Sequence, residues 1–194
     1  MNADGVRAYL SDGAAVLEAL AERCAEDVSK AASLLADAVR GGGTILICGN
    51  GGSAADAQGL ATEFVSTLTT DRRRPAIPAI ALTTDTSIIT AIANDFGFDG
   101  VFARQVEAVG RRGDVLLGIS TSGNSRDVVL AAREARSRGL GTVALTGRAG
   151  GELAGITDVA IRVPSDATSH IQEAHLAVEH ALAFAVEDAL YPLE

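Results

Sequence analysis

Two turns rich in glycine and hydroxyl side chains each follow a short apolar run. Cys48-Gly49-Asn50-Gly51-Gly52-Ser53 comes directly after Ile45-Leu46-Ile47, and Ser120-Thr121-Ser122-Gly123-Asn124-Ser125 directly after Val115-Leu116-Leu117-Gly118-Ile119. Each reads as a buried strand, a tight turn and a helix start. Glycine lets backbone N–H groups approach an anion, hydroxyls add donors, and a helix N-terminus adds a positive dipole. The pair predicts two phosphate cradles and a phosphorylated small-molecule ligand.

Groups able to move protons lie further along. Glu63 stands ten residues after Ser53, among Ala61, Phe64 and Val65. Its spacing fits an acid–base carboxylate and a plain surface residue equally. All three histidines, His170, His175 and His180, fall within eleven residues. Gln172 and His180 are about 80° apart around a helix and share a broad face, whereas His175 is rotated well away. Composition alone leaves each histidine as a packed or surface residue. Asn94-Asp95, ahead of Phe96-Gly97-Phe98, suits a turn or cap, and equally the hydroxyls of a polyol.

The elements that must position these residues follow from hydrophobic periodicity. Val6, Leu10, Leu17, Leu20, Ala21 and Cys24 recur at helical spacing, with Gly13 a weak point inside the pattern. A second helical stretch carries Val28, Ala31, Leu34, Leu35 and Val39 and stops at Gly41-Gly42-Gly43. Beyond it, short apolar runs at 44–49, 77–82, 114–120, 141–146 and 158–163 alternate with helical patterns at 53–67, 86–93, 99–109, 125–138, 150–155 and 168–190. Fully apolar strands separated by helices predict a parallel sheet covered on both faces. In such sheets ligands sit at the carboxyl ends of strands, where both cradles lie.

Composition narrows the function classes. A chain of 194 residues that is 47% hydrophobic predicts one domain with a sizeable core. The net charge of −9 disfavours nucleic acid, whose binders carry basic patches. Arg72-Arg73-Arg74 is the one tight basic run, read as a solvated loop before Pro75. Cys24 and Cys48 read as small apolar residues in a reducing compartment. Neither a signal-peptide pattern nor a run of about 18 apolar residues is present, so a soluble, cytoplasmic protein without membrane contact is expected.

Taken together, these segments resemble the SIS (sugar isomerase) domain and, within it, the phosphoheptose isomerases. The matching stretches are CGNGGSAADAQ (48–58), ALTTDTS (81–87), ANDFGF (93–98), GDVLLGISTSGNS (113–125), ALTGRAGGELA (144–154) and IQEAHLAVEH (171–180), in the family's order over nearly the whole chain. The resemblance implies a single SIS domain over 1–194: an N-terminal helical segment at 1–42, then a five-stranded parallel α/β core at 43–194 with a flavodoxin-like or Rossmann-like three-layer build. It implies a homotetramer with active sites between subunits, the N-terminal helices packing there, and exchange of sedoheptulose 7-phosphate with D-glycero-D-manno-heptose 7-phosphate. By the same resemblance Ser53, Ser120, Thr121, Ser122 and Ser125 hold the phosphate. Asn50, Gly51, Gly52, Asn94, Asp95 and Gln172 line the rest of the site, and Glu63 and His180 form the acid–base pair.

Three departures bear on that expectation. Many relatives bind zinc through a histidine four residues before this glutamate, and here that position is Gly59. Glu63, Gln172 and His180 are left as a three-residue metal set, expected to be weak because glutamine is a poor zinc ligand. His170 stands where relatives often carry arginine, and surface placement is expected for it. Thr67 likewise replaces a frequent arginine, a charge that one of Arg72, Arg73 or Arg74 would have to restore. The changes keep alive an isomerase of a related sugar phosphate. A non-catalytic SIS protein that binds a sugar phosphate or a replication initiator is the reading from another class; Ser125-Arg126-Asp127 matches one such relative, while retained Glu63 and His180 favour an enzyme.

Overall fold

The computed structural model describes residues 1–70 and 72–192. Helix α1 (Ala3–Arg40) leads into β1 (Ile45–Gly49), α2 (Gly52–Val65), β2 (Ala79–Ala81), α3 (Thr86–Phe96) and α4 (Ala103–Val109). Then come β3 (Val115–Ser120), α5 (Arg126–Ser137), β4 (Gly141–Thr146), α6 (Gly151–Ile156), β5 (Val159–Arg162) and α7 (Thr168–Leu190). The five strands are parallel, in the order β2-β1-β3-β4-β5. Every β1 and β3 residue is buried, as two-sided burial requires of an unbroken apolar run. Alternate residues serve opposite faces. Ile45 and Ile47 pack with α1, α2 and α7, while Leu46 and Cys48 pack with residues of α3, α4 and α5.

The two expected N-terminal helices are one continuous helix of 38 residues. Nothing between Cys24 and Val28 breaks it, because Ala25-Glu26-Asp27 contains no proline or glycine. Gly13 does not interrupt it either, since one glycine costs a helix only about 1 kcal/mol. Its small size has a use: a Cβ there would sit 3.2 Å from the Glu173 carboxylate and 3.3 Å from His170 Nδ1. His170 is therefore buried between α1 and α7, 8% exposed, and not on the surface as expected. Its ring lies 4.5 Å from Tyr9 and its Nδ1 is 2.8 Å from Glu173 Oε2.

This order places a topological switch between β1 and β3, since the chain runs one way from β1 to β2 and the other way from β3 onward. Ligands of open parallel sheets bind in the crevice at that point. Gly49 pairs with Ile119, so the turns leaving β1 and β3 lie side by side over the crevice.

Candidate active site at the switch point

The second cradle gathers hydroxyls. Ser120 Oγ lies 2.9 Å from Ser125 Oγ and 3.4 Å from Ser122 Oγ, and the Ser122 oxygen also accepts from Asn124 N–H at 3.1 Å. Ser120 is buried, Ser125 and Thr121 are half-buried, and Ser122 faces solvent. The Gly123 N–H closes the turn onto Ser120 O at 2.9 Å. A cluster of rotatable hydroxyls just ahead of the 12-residue helix α5 can donate together to one anion. Beside it a hollow of about 290 Å³ runs past Thr121, Ser122, Arg148 and Thr168.

The first cradle is tighter. Gly51 turns at φ +56° to start α2, and Ser53 is buried at 4% exposure. Gln172 of α7 lies against Gly52 so closely that any Cβ there would overlap its amide nitrogen. Here the structure does bring a residue from 120 positions away onto the predicted turn. Asn50 reaches across to the other turn, its Nδ2 donating to Asp127 Oδ1 at 3.0 Å. Asp127 thus joins the two turns, a link for which the sequence offered only its place after the second cradle and its part in Ser125-Arg126-Asp127.

The other candidates stand apart. Asn94 and Asp95 are exposed near the end of α3 and bond to each other at 2.7 Å, with no hydrogen bond to either cradle among the described residues. Glu63 is half-buried on the last turn of α2 and His180 is exposed on α7. Among the described residues no hydrogen bond or ion pair joins them. The α2–α7 boundary instead carries a buried carboxyl to which the sequence reading gave no role. Glu179, 1% exposed, has no partner on either oxygen. Burial, with Asp56 nearby, pushes its carboxyl up to about 8.

Glu63, Gln172 and His180 do not fit a zinc site within one chain. Gln172 is folded onto Gly52, and the eight-position step from it to His180 rises about 12 Å along α7. Zinc needs donors about 2 Å away and favours imidazole, thiolate and carboxylate over amide. Among the described residues, no three His, Cys, Asp or Glu side chains cluster as metal ligands. The space at Gly59 is open, with nothing within 4 Å of a Cβ placed there, so the missing imidazole is a loss of chemistry and not of room.

The arginine run is the solvated loop expected from sequence only at Arg73, which is exposed. The Arg74 side chain is 1% exposed and pairs with Glu187 of α7, whose side chain is 0% exposed. It also donates to Glu63 O at 2.7 Å, a carbonyl that the end of α2 leaves open, and to Phe64 O at 2.8 Å, which also accepts from Ile77 N–H at 3.0 Å. Arg72 pairs with Asp188 and donates to Tyr191 O at 2.6 Å. Neither of these two guanidinium groups is free to replace a charge lost at Thr67.

Known proteins agree with this architecture. The SIS domain family model matches residues 8–147. A phosphoheptose isomerase of Geobacter sulfurreducens is 51% identical over 189 residues, covering 97% of this chain and 99% of that protein. The solved phosphoheptose isomerase of Neisseria gonorrhoeae is 42% identical and superposes with a TM-score of 0.90, covering 95% of this chain and 98% of its own. That of Francisella tularensis is 35% identical with a TM-score of 0.92, covering 97% and 100%. Sequence and fold agree over nearly the whole length, and the chain therefore belongs to the phosphoheptose isomerase family of SIS-domain enzymes.

Proposed function

We propose that this enzyme interconverts sedoheptulose 7-phosphate and D-glycero-D-manno-heptose 7-phosphate through an enediol. The observation that carries the reading is the hydroxyl cluster of Ser120, Ser122 and Ser125 at the switch point of a chain about half identical to phosphoheptose isomerases. In this reading the second cradle holds the phosphate and orients the sugar, binding energy far from the reacting carbons being used to position them. Ketose-to-aldose exchange removes a proton from C1, gives an enediol, and returns a proton to C2, while another proton moves from O1 to O2. Glu63 and His180 share the two tasks, one on carbon and one on oxygen, each such transfer worth about 10²–10⁴-fold.

The pair belongs to an assembly of copies in this reading. Glu63 and His180 have no bond to each other within one chain, so a neighbouring copy would supply one of them. Val6, Leu10 and Leu17 of α1 and Leu176 and Phe184 of α7 are exposed apolar side chains suited to burial in a homotetramer. Among the described residues no helix is long and apolar enough to cross a membrane. Two free, buried cysteines suit the reducing cytoplasm.

The test is conversion of sedoheptulose 7-phosphate by the purified protein, followed by NMR with and without deuterated solvent. Turnover with deuterium entering at C2 of the aldose supports an enediol with a solvent-exchanging base. Absence of turnover, with the sugar phosphate still bound, sinks the enzymatic reading and leaves a sugar-phosphate-binding protein.

A further inference from the structure

The bond between Asn50 and Asp127 has a direction, and the direction decides which end of the Asn50 amide is left outward. Asp127 is the second residue of α5 and 4% exposed. Its Oδ1 accepts both from Val128 N–H and from Asn50 Nδ2, each at 3.0 Å. Val128 N–H is one of the donors that a helix start leaves unpaired, so the bond pins that oxygen in place. An ionised carboxylate oxygen only accepts, so the group facing it must be a donor. Asn50 must therefore turn its NH₂ inward, which leaves its Oδ1 outward. That Oδ1 has no partner among the described residues and is not among the buried orphaned atoms.

We infer that Asp127 is a positioning residue that holds Asn50 with its carbonyl toward the crevice, where it can accept from a substrate hydroxyl. A carbonyl accepts from an O–H but has nothing to offer a phosphate group, which carries about two negative charges near neutral pH and needs donors. The bond also ties the two turns together. The inference rests on the proposed function, because it sets the Asn50 carbonyl against a hydroxyl of the sugar phosphate proposed there.

The experiment is a double-mutant cycle on the full chain, with Asn50→Ala, Asp127→Ala and the double variant. KM and kcat are read for sedoheptulose 7-phosphate, and inhibition by inorganic phosphate is read separately. Asp127→Ala is expected to raise KM about tenfold, the scale of one hydrogen bond, with phosphate inhibition unchanged. In the Asn50→Ala background the same change should add nothing, since its effect passes through Asn50. Asp127→Asn should stay within about twofold of the parent, because Val128 N–H still directs an oxygen at Asn50. Asp127→Leu keeps the volume without the acceptor and repeats the test should Asp127→Ala fail to fold. Additive effects, an equal loss of phosphate inhibition, or an unchanged KM would each overturn the assignment. If the parent shows no turnover, the proposed function falls. The cycle is then read on sugar-phosphate affinity by calorimetry, with the same expected pattern.

Discussion

Arg74 and Glu187 form an ion pair sealed from solvent where the end of α2 meets α7, and the same guanidinium holds the backbone carbonyl of Glu63. The helix end carrying the candidate acid–base carboxylate is thus tied to α7 by a charge 11 residues downstream. Removing one member of a buried pair strands the other without a partner, which costs about 3–5 kcal/mol. Glu187→Gln and Arg74→Ala are each expected to lower unfolding stability on that scale in urea titrations. An Arg74→Met, Glu187→Leu double variant should recover most of the loss, since the pair itself is often no better than packed apolar side chains. Single variants within about 0.5 kcal/mol of the parent, the range of ordinary surface substitutions, would show that the pair does not brace this end.

Glu63→Gln keeps the side-chain volume and removes the proton-accepting carboxylate. Turnover is expected to fall by at least about 10²-fold, with inorganic phosphate affinity and oligomeric state unchanged. Near-normal activity in this variant would remove Glu63 from the chemistry while leaving the serine cradle intact.

Metal dependence is expected to be absent. Gly59 supplies no ligand, and Gln172 is committed to the first cradle. Turnover should be the same after dialysis against a chelator as after addition of zinc, and the dialysed protein should contain no stoichiometric metal. Activity lost to the chelator and restored by zinc would mean that Glu63, Gln172 and His180 are drawn from different copies around one ion.

Much of this was legible along the chain because it depends on local patterns. All five strands and the helices after them fall within a few residues of their apolar runs, and the cradles follow from strand-turn-helix spacing. What sequence could not reveal depends on contacts between distant positions. Arg74 resembles a solvated residue until α7 brings Glu187 to it, 113 positions away. His170 looks exposed until Gly13 of α1 opens room above it. Asp127 figures in the sequence only as the end of Ser125-Arg126-Asp127, and only the adjacency of β1 and β3 shows that it reaches Asn50. Helix continuity at residues 25–27 was missed for the opposite reason, since an interrupted apolar stripe is not a break in the backbone.

His175 provides a pH signature of the core. It is fully buried, its Nε2 lies 3.2 Å from Thr146 O, and its Nδ1 has no partner. Burial pulls its imidazole from the ordinary 6.5 down to about 4, against the smaller upward pull of the Thr146 carbonyl. As pH falls below 6.5 the unfolded chain takes up a proton that the native core refuses, so protonation favours unfolding. The stability tied to this group is complete above pH 6.5 and is lost progressively down to about 4. At 1.36 kcal/mol per pH unit the total is about 3 kcal/mol. Glu179, held at about 8, works in the opposite sense, since its native carboxyl keeps a proton that the unfolded chain releases above its ordinary 4.5. Comparing the parent with His175→Gln removes that contribution, because both proteins share it. The stability difference between the two, followed by urea unfolding, should shift by about 3 kcal/mol against the parent from pH 7 to pH 4. A difference that stays flat over that range would show that His175 takes up its proton inside the folded protein.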